Sequence, residues 1–207
     1  MEMIRLSLEM VFHPAEAFRY MQKDRSRFNY VPAVILLLLA FVVRTVSIYI
    51  THFPLAELDP RDANIGLELI KLYAPLLTWV IASYAMTSIL DGESLLREGL
   101  LATAYALVPY ILLTIPVNLL SHIMENSQSG LYNGIQIIIT GWVLLLLFMS
   151  IQVMNQYSLK KTTLVCALSV GVVLLIWATI ALFFAISSQF INFIEEVIIE
   201  IRLRLLE

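Results

Sequence analysis

Long apolar runs separated by short polar knots set the pattern of this chain. No charged residue occurs in the 34 positions from Asn126 to Leu159, the 33 from Thr162 to Ile194, the 26 from Gly99 to Met124 or the 19 from Leu72 to Leu90. A further apolar run, near Val31 to Ile50, is interrupted only by Arg44. Hydrocarbon offers the backbone no water to bond with, so a run of about 20 apolar residues reads as a bilayer-spanning helix. The pattern predicts spans at 31–51, 70–90, 100–123, 133–156 and 163–187. Turn chemistry falls between them: Pro54 and Pro60 in the first connection, Asp91-Gly92 in the second, Ser129-Gly130 in the third, with Lys160-Lys161 marking the fourth.

The flanks carry a different pattern. Pro14 suits the first turn of a helix running to about Arg27, with Arg19, Lys23 and Arg27 as a basic stripe and Ala17, Phe18 and Met21 on an apolar side. Such a helix would dock on anionic headgroups or a cytoplasmic partner, or simply be a positive-inside flank. At the other end Asn192, Glu196, Glu200 and Arg204 recur every four residues, opposite Phe193, Ile194, Val197, Ile198, Ile201 and Leu205. That spacing predicts an amphipathic helix, either lying on the membrane surface or offering its apolar face to a partner. The fold class is therefore all-α: a polytopic membrane bundle of five transmembrane helices with amphipathic helices at both ends. Residues 1–30 form the N-terminal flank, 31–187 the membrane domain and 188–207 the C-terminal helix.

Charge gives the orientation. The side of the N-terminus holds Arg5, Arg19, Lys23, Arg25, Arg27, Arg97, Lys160 and Lys161, against Arg61, Lys71, Arg202 and Arg204 on the other. The positive-inside rule then predicts a multi-pass protein of the cell membrane with a cytoplasmic N-terminus and an extracytoplasmic C-terminus. Glu2, Arg5 and Glu9 interrupt the first dozen residues, so the start does not read as a signal peptide and the first span serves as its own targeting signal.

Composition narrows the function classes. The chain is 60% hydrophobic and only 14% charged, far from the balance of soluble domains. A net charge of −3 leaves no basic footprint for nucleic acid. The single cysteine, Cys166, has no disulfide partner or metal-site spacing and reads as a packing residue. No His-Glu-x-x-His, Gly-x-Ser-x-Gly or nucleotide-binding glycine loop occurs, and no cofactor is expected. His52 and His122 would meet at the outer surface only as a weak metal pair lacking a third ligand, or as two unrelated interfacial histidines. Asp91, Glu93 and Glu98 read as helix-end capping.

The polar residues inside spans are the remaining candidates. Arg44 is the only charge well inside one, and intramembrane charges are functional hypotheses by default. It lies about 10 Å from its helix end, so snorkelling or an ion pair with Glu57 or Glu68 competes with a transport role. Pro109 and Pro116 should bend the third span, and Pro75 should bend the second near its start. Asn118, Gln136, Gln152, Asn155 and Gln156 read as interhelical hydrogen-bond glue, too scattered to define a permeation path.

Three segments together carry a resemblance: His13-Pro14-Ala15-Glu16-Ala17-Phe18, the Ser83-Tyr84 to Leu90-Asp91-Gly92-Glu93 junction, and Ala104-Tyr105-Ala106-Leu107-Val108-Pro109-Tyr110. The combination resembles the bacterial branch of the Yip domain family, named for Ypt-interacting proteins. The resemblance implies five spans and a cytoplasmic N-terminus. Eukaryotic relatives bind small GTPases and shape curved membrane without being enzymes. Their long N-terminal region and Asp-Leu-Tyr-Gly-Pro motif are not found here, so GTPase binding is not implied. Bacterial relatives often stand beside carbohydrate importers, which implies an accessory role. The expectation is a non-enzymatic accessory or scaffold protein contacting membrane lipids and another integral membrane protein, such as a carbohydrate ABC importer. The alternative is a transport subunit or channel in its own right.

Overall fold

A computed structural model of the chain describes residues 2–23, 30–52, 55 and 63–204. Every regular element among them is helical. In chain order these are α1 (Glu2–Phe12), α2 (Pro14–Lys23), α3 (Tyr30–Ile50), α4 (Ile65–Ile89), α5 (Leu96–Ala106), α6 (Val108–Leu120), a 3-10 turn at Asn126–Gln128, α7 (Ser129–Met154) and α8 (Leu159–Arg204). Five stretches are long and apolar enough to cross a membrane: α3, α4, α5 with α6, α7, and Leu159–Glu196 of α8. The all-α, five-span class read from the sequence is thus the fold observed.

Met1–Ser169 forms one compact unit and Val170–Glu207 a second. In the first, α5 is the packing centre. Leu101, Ala102, Thr103, Ala104, Tyr105 and Ala106 are all buried, and α5 contacts α3, α4 and α7. Between helices in lipid there is no hydrophobic drive, so close van der Waals contact between small residues holds them together. The core continues into Ala33, Leu36 and Ala40 of α3 and Val143, Leu146 and Leu147 of α7.

The N-terminal flank holds the helix expected from Pro14 and a second helix before it. It is a hairpin of two helices, α1 and α2, and α2 packs on α7. Ala17, Phe18 and Met21 join Leu6 and Met10 of α1 inside the same core. The apolar face is therefore covered by protein rather than left for lipid, while Arg19 and Lys23 stay exposed. Arg25 and Arg27 lie outside the described residues.

The prolines act differently from one another. The third span is interrupted at one residue, Leu107, between α5 and α6, and the Leu107 N–H bonds to Ala104 O at 3.3 Å, one residue short of the α-helical acceptor. Pro109 is the cause. It has no N–H to return to Tyr105 O, and its fixed φ suits the first turn of α6. Pro116 sits inside α6 and Pro75 inside α4, without ending either helix. Pro75 lies deeper in its helix than predicted because α4 begins at Ile65, where the Asn64 side chain accepts from Gly66 N and Leu67 N. The fourth and fifth boundaries also shift. Ser129-Gly130 opens α7 instead of forming a turn, and Lys160-Lys161 lies in the first turn of α8, capped by Ser158.

On the side of the N-terminus the α4–α5 and α7–α8 turns interlock. Asn155 Oδ1 accepts from Ser94 N at 3.0 Å, and the Tyr157 hydroxyl donates to Leu90 O at 2.9 Å. Burial, and then the charge of Asp91, raise the Tyr157 phenol above its ordinary pKa, so it stays a donor. Asp91 and Gln156 both take φ of 54°. Glu98 accepts from Leu95 N, so it caps α5 as expected. On the opposite side His52 N donates to Ser121 Oγ at 2.9 Å, tying the first connection to the third. Each connection thus meets the one two spans away, as alternating up-and-down spans require.

The second unit is a stretch of the α8 helix whose described side chains are mostly exposed, Phe183, Phe184, Phe190, Phe193, Ile194 and Ile198 among them. Residues Leu159 to Arg204 are helical without interruption, so the last span and the C-terminal helix are continuous in secondary structure. The side chains of Val197 and Ile201, and all of Leu205, lie outside the described residues.

Gly92 supplies a direct test of the interlocked turns. A Cβ there would lie 2.7 Å from both Asn155 Oδ1 and the Tyr157 hydroxyl and 2.8 Å from Thr87 Cβ. Gly92→Ala should cost about 1–3 kcal/mol as overpacking, read as a lower melting temperature of the purified protein in detergent. Gly134→Ala, whose Cβ would meet nothing within 4 Å inside α7, should melt at or above the wild-type temperature.

Candidate functional site

Three helices carry polar residues at helical spacing on one face each. On α3 these are Arg44 and Ser47, with Thr51 just past its end; on α6, Tyr110, Thr114 and Asn118; on α7, Asn133, Gln136 and Thr140. α6 packs on both α3 and α7, and the three stripes converge on a cavity of about 650 Å³. Ile48, Leu55, Tyr132, Ile137, Gly141 and Leu144 complete its wall. Its upper rim, at Thr51, Asn118 and Tyr132, lies on the side opposite the N-terminus. Leu144 lies about 22 Å into α7 at 1.5 Å per residue.

Arg44 is the charged member of that wall among the described residues. Its Nε donates to Glu68 Oε2 at 2.9 Å, and Lys71 Nζ donates to Glu68 Oε1 at 2.7 Å. Glu68 is 2% exposed. The carboxylate thus sits between two cations, and the cluster as a whole keeps one positive charge. This explains why the sequence pattern placed the start of the second span too late. Glu68 and Lys71 look like a polar boundary, yet pairing lets both belong to α4. Of the two acids named as candidate partners for Arg44, Glu68 is the one found; Glu57, like Asp59 and Asp62, lies outside the described residues.

Above this cluster sits an amide and phenol network. Asn118 Oδ1 accepts from the Tyr132 hydroxyl at 2.9 Å and from Gln136 Nε2 at 2.8 Å, and Asn118 is 2% exposed. It links α6 to α7, as interhelical glue should. Thr114 differs from its neighbours. Ser47, Thr51 and Thr140 each donate to the carbonyl four residues back, whereas the buried Thr114 Oγ1 has no partner.

Of the five polar residues named in the third and fourth spans, two, Asn118 and Gln136, line the cavity. Arg44, Asn118 and Gln136 come together in one cavity, whereas Asn155 serves the α7–α8 turn. Tyr110, Thr114, Tyr132 and Gly141 escaped the sequence reading. The four-residue spacing of Tyr110, Thr114 and Asn118 was the available signal. His52 and His122 do meet, with ring centroids 5.3 Å apart, but no cluster of three metal-ligating side chains exists among the described residues. Phe193, Ile194 and Ile198 belong to the second unit and are exposed there.

The ion cluster predicts a non-additive stability pattern. Arg44→Gln alone leaves Glu68 with Lys71 as its partner and should destabilise by about 1–3 kcal/mol. The double variant Arg44→Gln/Glu68→Gln removes both charges and should recover most of that loss in the same melting assay.

Residues 8–182 match the family described as the Yip1 domain. No curated protein and no solved structure matches the chain. The match covers both flanks of the cavity and every span through most of α8. The chain belongs to the Yip1 domain family, as a multi-pass membrane helix bundle.

Proposed function

We propose that this Yip1 domain protein is a non-enzymatic accessory or scaffold protein that binds another integral membrane protein through the C-terminal part of α8. One observation carries the reading: the surplus apolar helix surface. About 20 apolar residues cross the hydrocarbon, whereas the charge-free run of α8, from Thr162 to Ile194, is 33 residues long. The surplus turns hold exposed Phe190, Ile191, Phe193 and Ile194, and Ile198 is exposed just beyond them. Contiguous apolar surface of this kind, continuing a lipid-facing span, fits a membrane-embedded partner. A carbohydrate importer subunit is the partner toward which the family resemblance points. By the positive-inside rule the face with Arg19, Lys23, Arg97 and Lys160 is cytoplasmic and the α8 C-terminus extracytoplasmic.

A second reading, a transport subunit, draws on Arg44 lining a polar cavity. Against it stands the packed layer of Leu36, Ala40 and Tyr105, which would have to open before anything crossed.

Two measurements test the proposal. A photo-crosslinking residue at Phe193 or Ile194, in protein taken from its native membranes into nanodiscs, should capture one stoichiometric membrane protein identifiable by mass spectrometry. The variant Phe193→Ser/Ile194→Ser should lose most of that partner. Capture of lipid alone, or of a second copy of this chain, would overturn the reading. For orientation, a protease site placed after residue 1 should resist cleavage in intact cells and become cleavable on lysis.

A further inference from the structure

We propose that the α3–α6–α7 cavity is a binding site for a phosphate-bearing organic ligand, held by Arg44 with Thr114 and Asn118 as further donors. The argument starts from charge. Among the described residues the wall carries one formal charge, the Arg44 guanidinium, and no carboxylate. Glu68 holds Arg44 through Nε while standing outside the wall. A guanidinium is a planar fork of five N–H donors; Glu68 takes the Nε–H and Tyr110 bonds the group from the cavity wall, which together orient the fork and leave its other N–H donors open.

The hydrogen-bond inventory points the same way. Asn118 Oδ1 already accepts twice, from Tyr132 and Gln136, which turns the amino end of that amide toward other partners. Thr114, 3% exposed, keeps a hydroxyl with no partner although it lines the cavity. An orphaned buried hydroxyl costs about 1–3 kcal/mol unless something bonds it. The open positions are thus a cation and two donors, which call for an anionic group with several acceptor oxygens. A phosphate supplies them and pairs with the guanidinium fork in two parallel hydrogen bonds. Ile48, Leu55, Ile137 and Leu144 line the rest, and about 650 Å³ far exceeds a bare phosphate, so the ligand carries an organic portion. That portion belongs either to a phospholipid or to a soluble phosphate ester.

Gly141 gives a clean block. A Cβ there meets nothing within 4 Å and Gly141 lines the cavity, so a side chain can start from this position without a clash at Cβ. The test is a native mass-spectrometry titration of the full chain, delipidated in detergent, with glycerol 3-phosphate and with dioctanoyl phosphatidic acid. Glycerate and dioctanoylglycerol serve as matched probes without phosphate. A saturable one-to-one adduct is expected from a phosphate probe. Binding of the lipid probe only assigns a phospholipid headgroup, and binding of glycerol 3-phosphate assigns a soluble ester. Gly141→Leu should weaken binding by at least about tenfold, and Thr114→Val by about threefold to tenfold, with melting no lower than wild type for Thr114→Val. Should Gly141→Leu not fold, Thr114→Val carries the test, because it replaces an unbonded hydroxyl with a methyl group of the same shape. The proposal fails if neither phosphate probe binds, if the probes lacking phosphate bind equally well, or if the adduct survives both substitutions undiminished.

Discussion

Close contact around α5 is the constraint on which the rest of this membrane domain depends. The span made of α5 and α6 is 56% buried, against 11–33% for the other four. Apolar side chains facing lipid gain little by facing each other, so helices associate where small residues let backbones approach. Ala102, Ala104 and Ala106 serve that end, and Tyr105 fills the gaps between α5 and its neighbours with 1% exposure.

The break at Leu107 follows from the same span and creates the site. Because Pro109 cannot continue the α5 hydrogen-bond ladder, α6 starts anew and packs between α3 and α7. Near the N-terminal side the helices close over alanines and over the α1–α2 hairpin. Toward the opposite side they line a cavity whose wall is polar on three helices. One span thus contains both the tightest packing in the domain and the rear wall of its cavity.

Electrostatics at the cavity depends on a carboxylate that the cavity does not expose. Glu68 is costly to bury alone, and Arg44 and Lys71 are costly to hold in a span alone. Together they satisfy one another at 2.9 and 2.7 Å and leave the cluster one positive charge in excess. Of the three groups, Arg44 alone lines the cavity.

The sequence alone determined the number of spans and their alternation, because charge-free runs of about 20 residues have no other stable form in lipid. It also singled out Arg44 and Asn118, and it named Glu68 as a partner. The Asp91-Gly92 segment was legible as a turn. Its tight approach to Asn155 and Tyr157 was not, since that contact joins residues more than 60 positions apart. Periodicity assigned Ala17, Phe18 and Met21 to one face but could not say whether lipid or protein would cover it. Tertiary packing decided that, burying them against α7. Likewise the polar residues of α3, α6 and α7 each fit a helical stripe, yet a stripe has no direction until its helix has neighbours. Only the packing of α6 between α3 and α7 turned three stripes into one cavity. Local pattern fixes which face of a helix is polar. Which faces meet is set by the fit between helices, and a one-dimensional pattern does not contain that.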